Sequence, residues 1–289
     1  MNRKVICVGS GRCGTVTIAA RIATTGAYSL HEGVRIPPNG QVPRGRQGLP
    51  HAIQASQWEL QSLAKRVRDI YEDWALKVVR KRAERAQESG TYLEAAHYLT
   101  GHLENLLDKI PTMRVIHLWR PVDEVVESFI RKNEGRRGGN PTYATQGRHV
   151  KNYEAWEKWS DCFPLWKTCA SQEEGYARYW NWANRRIEAF LEEHPEVQSM
   201  RLSTKELNSE VAWQAICDFC GVDYERLGEP KRHNARPEPL KGAGDPSMQV
   251  RIATAAEMYG TWRPNGSTRP EIRIPQFKNP RPPSSHRSG

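Results

Sequence analysis

What this sequence lacks narrows it first. No apolar run approaches the ~18 residues that a membrane-spanning helix needs. An apolar run does begin at Lys4-Val-Ile-Cys-Val8, but Gly9, Ser10, Gly11 and Arg12 interrupt it before a secretory h-region can form. Cysteine is scarce, six in 289 residues, which is too few for a disulfide scaffold. A reducing compartment is the default, and the expectation is a soluble cytoplasmic chain that makes no membrane contact. No segment repeats itself, which excludes solenoids and propellers.

What is present is enough apolar residue, 38%, for a core at this length, with a polar periphery left over. The length fits two domains at ~150 residues each, or one α/β domain with insertions. We expect a single domain over 1–278, insertions at 33–90 and 131–175, and a flexible Pro/Arg-rich tail at 279–289. The net charge of +10 points to an anionic partner without naming it. Its placement is more informative. Residues 230–289 hold eleven Lys/Arg against four Asp/Glu, and ten of the nineteen prolines. Most of the excess charge is therefore peripheral, and nucleic acid is not the expected partner.

Periodicity gives the elements. Residues 4–8 read as a buried parallel strand ending at Gly9. A helix follows over 15–25, and a short strand over 27–32. Residues 33–50 are rich in Gly, Pro and Arg and read as a loop. Residues 56–88 show helical spacing, 91–96 a strand, and 99–110 a helix. Residues 114–119 read as a strand, with Pro121 suited to the first turn of a helix over 122–132. A basic Gly-rich loop spans 131–151. Helices at 173–193 and 204–220 bracket a strand at 197–202. Strands alternating with helices predict α/β layers with a parallel sheet.

Two constellations carry chemistry. In Gly9-Ser-Gly-Arg-Cys-Gly-Thr15, glycines let successive N–H groups converge on one anion, and a helix N-terminus adds its dipole. A Walker A loop needs Lys and Ser/Thr after its last Gly. Here Thr15 follows Gly14 directly and the cation, Arg12, lies inside the loop, so a Mg²⁺-nucleotide site is disfavoured. The second is Arg120 with Ser128, a guanidinium at a strand end and a hydroxyl two helical turns further on. Both can bind phosphate.

Together they resemble the sulfotransferases that use 3′-phosphoadenosine 5′-phosphosulfate (PAPS), and the resemblance implies a three-layer α/β/α fold around a central parallel sheet, related to P-loop nucleotide kinases. Gly-x-Gly-Arg-Cys-Gly-Thr looks like their 5′-phosphosulfate loop, and Arg120-Pro-x-Asp-x-x-x-x-Ser128 looks like their 3′-phosphate motif. Tyr179-Trp180, Asn184 and Met200-Arg-Leu-Ser-Thr-Lys-Glu-Leu207 are also similar. The resemblance implies that Gly11, Arg12, Cys13, Gly14, Thr15, Val16, Thr17, Arg120 and Ser128 hold PAPS, with Arg12 also stabilising developing charge, and that no metal takes part. Val16 departs from the common loop by removing one hydroxyl. The late Arg-Lys-Gly motif of the cytosolic members is not evident here, Arg232 and Lys241-Gly242 being weak substitutes for it.

The resemblance also calls for a base to take the acceptor's proton. The candidates, in order, are Glu32, placed like the carboxylate of bacterial and Golgi-type members, then His97, then His31. The acceptor would carry a hydroxyl or amine. A carbohydrate suits the tryptophans among residues 156–182 (Trp156, Trp159, Trp166, Trp180 and Trp182), which offer stacking faces when they are not core. Cys217-x-x-Cys220 with Cys162 and Cys169 reads as buried thiols rather than a zinc site. Two competing readings are a P-loop kinase-like phosphotransferase and a non-enzymatic polyanion binder.

Overall fold

The computed structural model describes residues 3–41, 76–86, 90–134, 171–229, 246–259 and 271–273. A seven-stranded sheet runs in the order β3-β2-β4-β1-β5-β6-β7. The strands are β1 (Arg3–Val8), β2 (Tyr28–His31), β3 (Val34–Arg35), β4 (Thr91–Ala95), β5 (Met113–Trp119), β6 (Ser199–Ser203) and β7 (Glu271–Arg273). The five central strands are parallel, and the edge strands β3 and β7 are antiparallel. The expected parallel sheet is therefore its centre, finished on both sides by short antiparallel edges. β3 lies in the segment read as loop. β7 comes from the Pro-rich stretch that was read as periphery.

Helices cover both faces. In chain order they are α1 (Thr15–Ala23), α2 (76–85), α3 (Leu103–Lys109), α4 (Val122–Glu134), α5 (Gln172–Glu193), α6 (Glu210–Cys220) and α7 (Pro246–Tyr259). Alternate residues of each strand feed opposite layers, as a period-two backbone requires. Val5, Cys7, Ile116 and Leu118 pack with α1 and α6, whereas Ile6, Val8, Met113 and Val115 pack with α2, α3 and α5. A third cluster joins α4, α5 and α7 through Val125, Phe129, Tyr176, Ala177, Ile252 and Ala255. Each fully buried aliphatic side chain contributes about 1.5–3 kcal/mol to this packing.

Three element readings change. The helix expected over 99–110 opens as a 3-10 helix, His97–His102, before α3. The one expected over 204–220 divides at Ser209. Ser203 and Glu206 form a reciprocal capping box around a 3-10 helix (Thr204–Asn208), and Ser209, at φ −101° and ψ 130°, restarts the chain as α6. Gly221 then ends α6 in the left-handed conformation, as its position predicts. The helix α7 was not expected at all. Of the helix read over 56–88, residues 76–85 are helical and 56–75 lie outside the described residues. The 135–170 segment, with Trp156, Trp159, Trp166, Cys162 and Cys169, also lies outside them, as do Arg232, Lys241-Gly242 and the tail. Among the described residues, no helix is long and apolar enough to cross a membrane.

Candidate active site

In an open parallel sheet the ligand crevice lies beyond the carboxyl ends of the strands, where the strand order switches direction. Here β1 has β4 on one side and β5 on the other, and every site residue read from sequence lies at or beyond the carboxyl end of β1, β2, β4 or β5. The sheet order is what brings the separated motifs together.

The loop after β1 is tightly built. Gly9 has no room for a side chain: a Cβ there would lie 2.2 Å from the Leu118 carbonyl oxygen and 2.6 Å from Cys13 Sγ. Gly11, Arg12 and Gly14 take φ of 74°, 56° and 94°, and this left-handed run curls the backbone into an anion-binding concavity. Arg12 is a non-glycine residue in that region, a strained state that marks functional sites. Gly14 caps α1 without any side-chain hydrogen bond, and α1 has no acid in its first turn. Both facts leave the dipole end suited to an anion. The Thr15 and Thr17 hydroxyls belong to this turn, while Val16 contributes backbone only. Cys13 is fully buried in the α1–α6 core, so it can offer its N–H and not its thiol. Burial pushes that thiol up to about 12.

Three contacts pin the loop from outside. Thr100 Oγ1 donates to the Gly9 carbonyl at 3.3 Å. Thr204 Oγ1 lies 2.7 Å from the Cys13 carbonyl and 3.1 Å from that of Trp119, so one hydroxyl ties the loop after β1 to the end of β5. Arg120 reaches the Arg12 carbonyl at 3.5 Å. The two motifs also meet through side chains, because Arg12 Nε donates to Ser128 Oγ at 3.0 Å.

Arg120 is supported from beneath. Trp180 Nε1 donates to its carbonyl at 2.8 Å. Trp180 itself is held by a buried polar set. Asn184 Nδ2 donates to the Trp180 carbonyl at 2.8 Å, His117 lies 2.8 Å from Asn184 Oδ1 and 2.7 Å from Glu188, and Arg201 clamps Glu188. Partial burial alone would raise the Glu188 carboxyl, but His117 and Arg201 hold it below the usual carboxylate range. Trp180 is therefore a support for Arg120 and not an acceptor platform. Trp182 remains beside the site in an aromatic group with Tyr179, Phe129 and Tyr176, at centroid spacings of 4.9–6.2 Å.

The three base candidates converge. Glu32 and Gly33 form the two-residue turn between β2 and β3, at φ of 49° and 73°. Such turns require positive φ and favour Asn-Gly, so a glutamate here is strained. Glu32 Oε1 lies 3.1 Å from His97 Nδ1. The His97 ring and Phe129 both lie 3.4 Å from where a Gly11 Cβ would stand, which puts the pair against the loop after β1. His31 Nε2 lies 3.3 Å from Thr15 Oγ1 and so contacts the start of α1.

Sequence reasoning missed Glu94. It is fully buried in β4, accepts from Gly33 N at 2.7 Å and from the Tyr92 hydroxyl at 2.8 Å, and so fixes the turn that carries Glu32. Burial raises its carboxyl above the ordinary range. The available signal was a lone acid inside a strand that is buried along its whole length. Thr204 and Lys205, within the family-like segment 200–207, and Glu124, in the first turn of α4, carry no site role in the sequence reading, yet all three contact the site's motifs. Among the described residues, no cluster of His, Cys, Asp and Glu could hold a metal, and Cys217 and Cys220 are both buried in the core.

Comparisons with known proteins follow this geometry. No protein of curated function matches the sequence at a significant level. Among solved structures, the sulfotransferase domain from the Synechococcus PCC 7002 olefin synthase is 16% identical, with TM-score 0.42, covering 93% of this chain and 90% of that one. The sulfotransferase domain from the curacin biosynthetic pathway is 15% identical, with TM-score 0.46, covering 93% and 94%. The assignment rests instead on the sequence, whose residues 4–235 match the model of the sulfotransferase domain. With most of its length inside that match, this chain belongs to the sulfotransferase domain family.

Proposed function

We propose that this sulfotransferase takes its sulfuryl group from PAPS and delivers it to an acceptor hydroxyl or amine, with a carbohydrate as the preferred acceptor class. The observation that carries this reading is the junction of the two phosphate motifs, Arg12 Nε on Ser128 Oγ and Arg120 on the Arg12 carbonyl. One ligand bearing two phosphate groups would engage both.

The residues present fit such a donor. The left-handed run at 11, 12 and 14 and the uncapped start of α1 suit the 5′-phosphosulfate, through the N–H groups of Gly11, Cys13, Gly14, Thr15 and Val16, the Thr17 hydroxyl (its N–H donates to the Gly14 carbonyl at 2.9 Å) and the Arg12 guanidinium. Arg120 and Ser128 suit the 3′-phosphate. The donor supplies a sulfuryl group already bonded to a phosphate that can leave. Arg12 and the loop N–H groups neutralise charge on the departing phosphate oxygens, the preorganised stabilisation that usually dominates such catalysis.

Glu32 and His97 act as one acid–base pair. Donation from His97 Nδ1 to Glu32 Oε1 fixes the neutral tautomer with its lone pair on Nε2. His97 Nε2 takes the proton as the acceptor oxygen or nitrogen bonds to sulfur, and Glu32 stabilises the imidazolium. His31 positions Thr15. The Trp182 ring, partly buried against the α4–α5–α7 cluster, supplies a face for a sugar.

The test is transfer from PAPS labelled in its sulfuryl group to a panel of glycosides, simple alcohols and amines, with Mg·ATP labelled at the γ-phosphate in parallel. Labelled sulfate ester or sulfamate, formed without added metal and best with glycosides, is the expected result. Transfer from ATP alone would overturn the reading, and transfer only to non-sugar acceptors would overturn the acceptor class.

A further inference from the structure

We infer that Glu124 is a built-in counter-ion of the 3′-phosphate subsite and that Lys205 is a further cation of that subsite. The inference rests on the donor reading above. Glu124 stands in the first turn of α4. Its Oε2 accepts from Arg120 Nε at 2.8 Å, and its Oε1 lies 3.4 Å from Lys205 Nζ. One carboxylate thus gathers two cations that follow different strands, Arg120 after β5 and Lys205 after β6.

Its surroundings keep Glu124 charged. Partial burial pushes the carboxyl up, but hydrogen bonds and charge from Arg120 and Lys205 outweigh this and hold it below the usual range. A general helix-dipole role is already available to Asp123 beside it. Solvent reaches the group, since the Arg120 and Glu124 side chains are 29% and 30% exposed and Lys205 is 72% exposed. An anion arriving at Arg120 therefore meets a guanidinium whose Nε edge is already taken and whose remaining donors are oriented.

Two opposing effects follow. Glu124 orders Arg120 before the donor arrives. It also repels a phosphate on the same guanidinium, so the spent bisphosphate is held less tightly and leaves sooner. Lys205, on the far oxygen of Glu124, can swing its amine to the phosphate while remaining near the carboxylate. A carboxylate and a phosphate about 5 Å apart in a solvent-exposed setting repel enough to weaken binding by about fivefold to tenfold.

The test uses the full chain and adenosine 3′,5′-bisphosphate, with affinity measured by calorimetry and dissociation by stopped flow, and circular dichroism to check folding. Glu124→Gln keeps an acceptor for Arg120 Nε and removes the charge. It should bind about fivefold to tenfold more tightly, mainly through slower dissociation, and Lys205→Ala should bind about threefold more weakly. Adenosine 5′-monophosphate, which lacks the 3′-phosphate, should show neither effect. Unchanged or weaker bisphosphate binding by Glu124→Gln would make Glu124 a purely structural partner of Arg120 and overturn the counter-ion role. Equal tightening toward the monophosphate would overturn the subsite assignment, and unchanged affinity in Lys205→Ala would remove that lysine from the subsite. If the unsubstituted protein binds no bisphosphate, the donor reading fails and this inference with it. Binding by that protein with no response in Glu124→Gln overturns the counter-ion role and leaves the donor reading standing.

Discussion

Replacing Thr204 with valine keeps the shape of the side chain and removes one hydroxyl. That hydroxyl serves the Cys13 carbonyl at 2.7 Å and the Trp119 carbonyl at 3.1 Å. Both acceptors precede residues that the donor reading uses, Gly14 and Arg120. Losing a hydrogen bond and leaving a partly buried carbonyl poorly satisfied costs about 1–2 kcal/mol. For a chain of this size that corresponds to a melting-temperature drop of about 2–6 °C. Glycine already confines the loop at Gly9, so the fold should survive and the loss should appear at the phosphate loop. The expected signature is a modest fall in stability, measured by urea denaturation, with a disproportionate fall of about tenfold in bisphosphate affinity. Stability and affinity both within about 0.3 kcal/mol of the parent would refute the claim that this hydroxyl couples the two motifs.

Further outcomes follow from neighbouring contacts. His97→Ala should lower turnover at least about a hundredfold, and Glu32→Gln by less, with bisphosphate affinity kept in both. A larger loss in Glu32→Gln, read from single-turnover rates, would make the carboxylate the base. Glu94, whose carboxyl is raised by burial, binds its proton more tightly folded than unfolded. Its contribution to stability therefore falls as pH rises from the ordinary carboxylate range through the raised value, so the advantage of Glu94→Gln over the parent should grow over that interval. A pH-independent difference in denaturation midpoints would contradict this. Gly9→Ala sets a Cβ 2.2 Å from the Leu118 carbonyl oxygen and should cost about 3 kcal/mol or more. Normal expression and melting in that variant would mean that β1 and β5 separate more easily than the packing implies.

The parts of the site legible in sequence are those carried by local spacing. The glycines between Gly9 and Thr15 announce the left-handed curl found at Gly11, Arg12 and Gly14, and the two-turn spacing of Arg120 and Ser128 sets both side chains toward that loop, where each meets Arg12. The pairing of Glu32 with His97 could not be read, because it depends on β2 and β4 lying in register, His31 beside Ala95, although 64 residues separate those two positions. Thr204 links the loop after β1 to the end of β5 for the same reason, a contact of the sheet order and not of the chain. The division of the 204–220 helix was legible in Ser203-x-x-Glu206, a capping box that the apolar periodicity on either side obscured. The helix α7 was hidden by composition. Prolines and arginines dominate 230–289, whereas the apolar residues that dock it, Ile252 and Ala255, are few. The net charge of +10 points to an anionic partner without placing it, and the cations that the donor reading uses, Arg12 and Arg120, lie in the body of the fold and not in the basic C-terminal stretch.

The central claim is that Arg12 and Arg120 hold the two phosphates of one small donor. Its most direct test is calorimetric titration with adenosine 3′,5′-bisphosphate, Mg·ATP and a short oligonucleotide, before and after Arg120→Ala. The account requires metal-independent binding of the bisphosphate alone, weakened at least about tenfold by the substitution. Undiminished bisphosphate binding in Arg120→Ala, or preferential binding of Mg·ATP or the oligonucleotide, would contradict it.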